Sequence, residues 1–528
     1  MDFLAWGGVL TFLLAGLPAT VSALQLDINS TQSLKDAATT TVFNMFSNST
    51  LNDTVNPVSG DDDFTWNATL EEAWLYSILI PYWNATGNDT YNDLIRTRLD
   101  SKIDTQFGTS WDETDDSNMN HAAWGLAAVT AAELNFPGNT TNSWQTLAAN
   151  VASTLHTEWM FVQTCSGGLV YSEQNTSIKE SFSNGEYFQL NARLAYLTSG
   201  DDQATYANDA ANVWDWSVLS ELVDESDWTV QFTTMNTTAG ANCTATSDQW
   251  RWTYQYGLYL SGAAYMYQVT GTEDWKTRAK GLLNTTVQYF FKKGVMVEGG
   301  FVNSAEVGGF YIDNNSEYTF RGLLASCLVA VAQLLPDTAD TIVPLLQTTA
   351  KGAAKQCSGT SNGTVCGYDW TDSTYDQNPS FFASMSAASV FTANLRIALS
   401  SANKTTNGTS TDSASGSANG SSSSGLSGGD IAGIVVGSVA GGALIAAAAV
   451  LAWRAWRKKT PGKQVVETPP VTDDDKGKYQ AAELHETDVA ELPQGGGAYS
   501  FPEMDAGPVP QHAVHEMPAK TIRYELDA

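Results

Sequence analysis

One recurring break constrains the fold of this chain more than any other feature. Tyr82-Trp83-Asn84-Ala85-Thr86-Gly87 is followed by Tyr91, Ala195-Tyr196-Leu197-Thr198-Ser199-Gly200 by Tyr206, and Tyr265-Met266-Tyr267-Gln268-Val269-Thr270-Gly271 by Trp275. Each reads as a helix end, a glycine stop and an aromatic residue early in the next helix. Asn135-Phe136-Pro137-Gly138 before Trp144, and Leu335-Pro336 before Ile342, are looser copies. Spacings of roughly 50–70 residues suit a helical hairpin unit. The helix expected over 121–134 carries Trp124, Ala127, Ala128, Ala131 and Ala132 on one small apolar face. Repeated hairpins in one domain give an all-α superhelical solenoid or a closed toroid; only the toroid dispenses with capping repeats.

The flanks suggest where such a domain works. Residues 1–23 carry an apolar run, 3–17, and the small triplet Val21-Ser22-Ala23, the pattern of a secretory signal peptide. Residues 431–453 contain no charge, only Ser438 as a polar residue, and are long enough to cross a bilayer. Arg454, Arg457, Lys458 and Lys459 follow, which places that side in the cytoplasm. The reading is therefore a signal peptide at 1–23, a globular domain at 24–399 and a Ser/Gly-rich stalk at 400–429. A transmembrane helix at 430–453 and a disordered cytoplasmic tail at 454–528 complete it. The chain would sit in the plasma membrane as a single-pass protein with its N-terminal domain outside.

Asn-x-Ser/Thr sequons agree with that topology. They fall at Asn29, Asn48, Asn52, Asn67, Asn84, Asn88, Asn139, Asn175, Asn236, Asn242, Asn284, Asn314, Asn362, Asn403, Asn407 and Asn419, all before the apolar segment, and no Asn follows it. The five cysteines suit an oxidising compartment. Cys357 and Cys366 bracket a short loop and form the first candidate disulfide, Cys165 and Cys243 the second, with Cys327 a buried thiol in an apolar run. Formal net charge is −31, and no basic stripe exists outside the cluster after the apolar segment, which argues against nucleic-acid binding. No cluster implies a metal or organic cofactor.

Asp112-Glu113-Thr114-Asp115-Asp116-Ser117-Asn118 stands directly before the helix at 121–134. Glycoside hydrolysis needs two carboxyl groups, and an adjacent pair at a helix head supplies both if the chain turns sharply there. Acidic residues are also favoured before helix N-termini by the macrodipole alone.

Ordered blocks run through nearly the whole domain. They include Thr90-Tyr91-Asn92-Asp93-Leu94, Ala123-Trp124-Gly125-Leu126-Ala127-Ala128, Asn135-Phe136-Pro137, Gly167-Gly168-Leu169 and Ser183-Asn184-Gly185. Further on come Asn191-Ala192-Arg193-Leu194-Ala195, Val213-Trp214-Asp215-Trp216, Trp252-Thr253-Tyr254, Gly262-Ala263-Ala264-Tyr265-Met266-Tyr267 and Gln356-Cys357-Ser358-Gly359. In these blocks the chain resembles the fungal endo-α-1,6-mannosidases of glycoside hydrolase family 76 and their wall-remodelling relatives. The resemblance implies an (α/α)₆ barrel and a retaining glycosidase acting on α-1,6-linked mannan or mannose-rich glycans. It places the two catalytic aspartates where this chain has Met119 and Asn120, so Asp115 and Asp116, about one helical turn earlier, become the candidate catalytic pair. Other cleft positions differ too: Val170-Tyr171-Ser172 stands for Arg-Trp-Gln, Glu180 for an Asn after the retained Lys179, and Gln255 for an Asn. Trp111, Trp124, Tyr171, Lys179, Trp252 and Tyr254 are the candidate substrate-binding residues. The alternatives to a mannan hydrolase or transglycosylase are a catalytically impaired mannan-binding protein and a membrane-tethered wall sensor.

Overall fold

The computed structural model describes residues 23–47, 68–104, 118–138, 143–161, 164–172, 175–236, 243–246, 250–301, 313–360 and 363–407. The expected signal segment, apolar span and tail lie outside them, as do Trp111, Asp115, Asp116 and the sequons at Asn48, Asn52, Asn67, Asn139, Asn242, Asn362 and Asn419.

Twelve α-helices dominate the described residues: α1 (Thr31–Ser47), α2 (Ala68–Thr86), α3 (Asn92–Asp104), α4 (Asn118–Glu133), α5 (Trp144–Phe161), α6 (Ser181–Leu197), α7 (Gly200–Leu219), α8 (Thr253–Thr270), α9 (Glu273–Phe290), α10 (Phe320–Leu334), α11 (Ala339–Gln356) and α12 (Phe381–Asn407). The even-numbered helices form a ring: α2 packs on α4, α4 on α6, α6 on α8, α8 on α10, α10 on α12, and α12 returns to α2. The odd-numbered helices lie outside, with α5 on α4, α7 on α6, α9 on α8, α1 and α11 on α12, and α3 against α2. This is a closed toroid, one of the two arrangements the hairpin breaks leave open and the one the family resemblance implies.

The breaks that suggested hairpins are the tail ends of inner helices. Gly87 follows α2, Gly200 follows the end of α6, and Gly271 caps α8, all with φ between 66° and 70°. Only glycine takes that left-handed conformation without a Cβ penalty, so the helix stops there and the chain turns outward. Asn135, at φ 52°, ends α4 in the same way, and Pro336 follows α10.

Position in the ring also explains composition. An inner helix is covered on both sides, so it loses the one-sided polar stripe of a surface helix. In α6 every residue from Ser181 to Ala195 is buried. In α4 a Cβ on Gly125 would stand 2.7 Å from Leu190 of α6 and 2.9 Å from Val151 of α5, so the small residue sets how closely three helices approach. The outer helices α9 and α11 keep polar outward faces. By length and composition α12 is apolar enough to cross a membrane, but it is an inner ring helix packed against α1, α2, α10 and α11. It runs to Asn407, beyond the expected start of the stalk at residue 400.

Short strands decorate the loops. Val170–Ser172, Asn175–Glu180, Thr233–Met235 and Thr244–Ala245 make a four-stranded antiparallel sheet leading into α6. Both expected disulfides are present, Cys165–Cys243 and Cys357–Cys366, and Cys327 is free. Cys165 and Cys243 pack with Trp216 and Leu222 in a small satellite core, where Trp216 Nε1 donates to the Cys165 carbonyl at 2.9 Å. Gly168 completes it: φ is +84°, and a Cβ would fall 2.1 Å from the Trp216 ring. Gly168→Ala should therefore cost about 2–4 kcal/mol through combined backbone strain and overpacking, read as a lower urea midpoint.

Candidate active site

The heads of α2, α4, α6, α8 and α10 meet at one end of the ring. Trp74 of α2, Phe182 of α6, Tyr254 of α8 and Phe320 of α10 contact one another at 5.3–5.8 Å, edge-on or tilted except for the stacked Tyr254–Phe320 pair, and Tyr76 of α2 meets Trp124 of α4 at 5.7 Å. This aromatic layer closes the ring beneath its mouth. Trp124 and Tyr254, both candidate sugar platforms, belong to it at 0% and 3% exposure. Trp252 is half-buried at the head of α8 and lies parallel to Trp250, ring centres 5.1 Å apart. Trp250 was not singled out in the sequence; only its position two residues before Trp252 marks it.

Met119 and Asn120 lie in the first turn of α4 and are buried. Beside them Asn118 Nδ2 donates to the Val170 carbonyl at 2.9 Å, tying the α4 head to the strand that carries Tyr171. The double-glycine loop is fixed from α6: Asn184 Oδ1 accepts from Leu169 N and its Nδ2 donates to Leu169 O. Lys179 Nζ donates to Gly168 O at 2.8 Å. Gln255 closes the α8 head, donating from Nε2 to Val230 O at 2.8 Å.

Six glutamates of the described residues stand among these helix heads, Glu71 and Glu317 besides Glu72, Glu180, Glu186 and Glu298. Glu72 accepts from the Tyr76 hydroxyl and pairs with Arg98 at 3.2 Å. Glu180 caps α6, accepting from the backbone N–H groups of Phe182 and Ser183. Glu298 does the same for α8, accepting from Thr253 N and Oγ1, both at 2.7 Å. Glu186, fully buried, accepts from the Tyr254 hydroxyl at 2.5 Å, and its second oxygen has no hydrogen-bond partner. Burial raises the Glu186 carboxyl well above its usual value despite that bond. Arg321, 2% exposed, lies over the rings of Trp370 at 3.8 Å and Tyr368 at 4.4 Å. Apart from Glu180, a departure from the family pattern, none of these polar groups carried a sequence signal, because their placement depends on helices meeting.

Burial gives Lys179 and Glu180 opposite responses to pH. It pushes the Glu180 carboxyl up to about 7, with the two backbone donors opposing the shift. It pushes the Lys179 amine down to about 7. Between the unfolded value of about 4.3 and about 7, the folded state retains a proton on Glu180 that the unfolded chain has released. That contribution to stability is complete at low pH and is lost as pH rises. For Lys179 the folded value lies below the unfolded ~10.4, so its burden is full below about 7 and lifts towards higher pH. The domain should melt higher at pH 5 than at pH 7, and Glu180→Gln should lessen that slope in a thermal-shift series while Glu298, which burial also pushes up to about 7, keeps part of it.

A cavity of about 80 Å³ occupies the axis in the rear half of the ring. Apart from Leu134, just past α4, its lining residues come from the six inner helices, including Thr130, Gln189, Tyr254, Ser261, Cys327 and Arg396. Glu133 and Arg193 close it as a two-pronged ion pair. Among the described residues no group of three or more His, Cys, Asp or Glu is arranged to hold a metal.

Residues 33–407 match the family model for glycosyl hydrolase family 76. Mannan endo-1,6-alpha-mannosidase DCW1 of Saccharomyces cerevisiae is 33% identical over 379 residues, covering 70% of this chain and 80% of that protein. A putative mannan endo-1,6-alpha-mannosidase of Schizosaccharomyces pombe is 34% identical over 321 residues, covering 59% of this chain and 70% of that protein. Dfg5 from Chaetomium thermophilum, solved in complex with glucosamine, aligns over 70% of this chain and 92% of that one, with 26% identity and a TM-score of 0.59. An inactive α-1,6-mannanase variant from Salegentibacter, with two adjacent aspartates changed to asparagine and α-1,6-mannotriose bound, shares the fold at 17% identity and a TM-score of 0.53. It covers 70% of this chain and 100% of its own.

Proposed function

The chain belongs to glycosyl hydrolase family 76, and from that membership we propose that it is an endo-α-1,6-mannosidase acting on cell-wall or glycoprotein mannan. In this reading Asp115 and Asp116 do the chemistry. A retaining glycosidase needs a carboxylate to attack the anomeric carbon and a carboxylic acid to protonate the departing oxygen, about 5–5.5 Å apart. A second sugar hydroxyl in place of water at the following step would make the same site a transglycosylase.

The observation that carries the assignment is the state of four carboxyls around the ring heads, with Glu71 of α2 and Glu317 before α10 as further acidic groups there. Glu180 and Glu298 are committed to capping α6 and α8, Glu72 to Tyr76 and Arg98, and Glu186 is sealed beneath the aromatic layer. Asp115 and Asp116 immediately precede α4, whose first turn offers Met119 and Asn120 where the family carries its pair. Trp252 with Trp250 at the α8 head, together with Trp111 and Tyr171, are the proposed sugar contacts; Trp124 and Tyr254 lie in the aromatic layer and Lys179 holds the double-glycine loop. The signal segment, stalk and apolar span would hold the domain on the wall side of the plasma membrane, glycosylated at its surface sequons.

A mechanism-based inactivator that leaves a stable mannosyl ester tests the assignment. The adduct should map by peptide mass to residues 105–117. An adduct on Glu72, Glu180, Glu186 or Glu298 would move the nucleophile elsewhere. Met119 and Asn120 favour a second reading, mannan binding without turnover. It predicts no adduct while the immobilised chain still retains α-1,6-mannan.

A further inference from the structure

Outside the ring, a groove of about 270 Å³ runs between α1 and the turn from α2 into α3; a single water has a share of only ~30 Å³ in the liquid. Three features give it the chemistry of a sugar site. Phe43 stands on its rim at 62% exposure, unusual for so large an apolar ring, and Tyr91 lies on the same wall. The Tyr82 side chain is 1% exposed and lines the groove; its hydroxyl makes no hydrogen bond of good geometry, though the polar side chains of Thr39, Thr86 and Asn88 lie close enough to favour its charged form. Asn88, the acceptor of the Asn88-Asp89-Thr90 sequon, is itself part of the lining.

The local geometry presents Asn88 for modification. Its Oδ1 accepts from Thr90 N at 3.0 Å and from Thr90 Oγ1 at 2.6 Å, a turn that fixes the amide plane and leaves Nδ2 on the side of the Tyr82 hydroxyl. A sugar joined there starts inside the groove rather than in solvent.

We propose that this groove seats the first sugar of an N-linked glycan carried on Asn88, with its apolar face on Phe43 and a polar group meeting the Tyr82 hydroxyl. Attachment forms a bond from Asn88 Nδ2 to the anomeric carbon of a lipid-pyrophosphate-activated oligosaccharide; one amide proton and the lipid pyrophosphate leave. The modified amide keeps one N–H. The glycan then acts as a structural part of the fold, covering apolar and polar surface the chain leaves open. This inference rests on the proposed glycosylation of the domain, and its test separates the two.

The full chain is produced in a glycosylating host and mapped by glycopeptide mass spectrometry. Asn88 should be occupied, and a native endoglycosidase digest should release its glycan about tenfold more slowly than the one on exposed Asn84, a protection of ~1.4 kcal/mol. Asn88→Gln should lower the urea midpoint, and the loss should vanish in a Phe43→Ser background. Thr90→Ser, which keeps the sequon, should behave as the parent. An empty Asn88 beside occupied sequons elsewhere, equal release from both sites, or additive effects of the two substitutions would overturn the proposal. Occupancy at no sequon would overturn both the proposal and the glycosylation reading. Protection of the groove in Asn88→Gln by added mannan oligosaccharide would assign it to a free glycan instead.

Discussion

Asp115→Asn together with Asp116→Asn should lower the release of reducing ends from α-1,6-mannan by at least about 10³-fold, with the melting temperature unchanged. The amide keeps the shape of the carboxyl, so a sugar chain still fits, but it cannot form a glycosyl ester or deliver a proton. The two single substitutions should each approach the loss of the double, because groups acting in one mechanism are not additive. Their effects should separate with substrate. The nucleophile variant stays inactive on an activated aryl mannoside, whereas the acid variant regains rate when the leaving group needs no proton. Retention on immobilised mannan should survive in all three.

Glu133→Ala should be the most destabilising single change on the ring axis, at about 3–5 kcal/mol. Arg193 reaches Glu133 through Nε at 2.9 Å and Nη2 at 2.7 Å, and Nη2 also donates to Thr130 Oγ1 at 2.8 Å. Tyr265 adds a hydroxyl at 3.3 Å, and its ring lies under the Arg193 guanidinium at 5.8 Å. Arg396 lines the same cavity; burial depresses its guanidinium, the nearness of Arg193 adds to that, and Tyr265 and Glu133 oppose it. Without Glu133 two arginines line one partly open cavity with no carboxylate among its other lining residues. Removing both charges at once, as Glu133→Leu with Arg193→Met, should recover most of the loss. A urea titration of the two variants beside the parent checks this; equal midpoints for parent and Glu133→Ala would contradict it.

The architecture was legible because helix ends are written locally. Gly87, Gly200 and Gly271 stop helices through backbone sterics that need no tertiary context. Five such stops turned out to be the tails of α2, α4, α6, α8 and α10, so the hairpin repeat and the inner ring are one observation. Both disulfides followed from loop position, and the small face of α4 from its alanines.

The site was less legible, for a physical reason. Trp124 and Tyr254 have the composition of sugar platforms, but a ring closed by six inner helices needs large side chains to fill its axis, and these two serve there. Glu186 and Tyr254 are 68 positions apart and meet only because α6 and α8 are neighbours in the ring. Glu180 reads as an altered cleft residue, while its oxygens are bonded to the backbone of its own helix. Residue type and spacing report which groups exist; the crossing of helices decides which of them face one another.

Incubating the purified full chain with linear α-1,6-mannan, and following new reducing ends and their anomeric configuration by proton NMR, tests the central claim most directly. A retaining endo-α-1,6-mannosidase predicts shorter mannan chains whose new reducing ends appear first as the α anomer. Mannan bound with no new reducing ends, or ends appearing first as β, would contradict it.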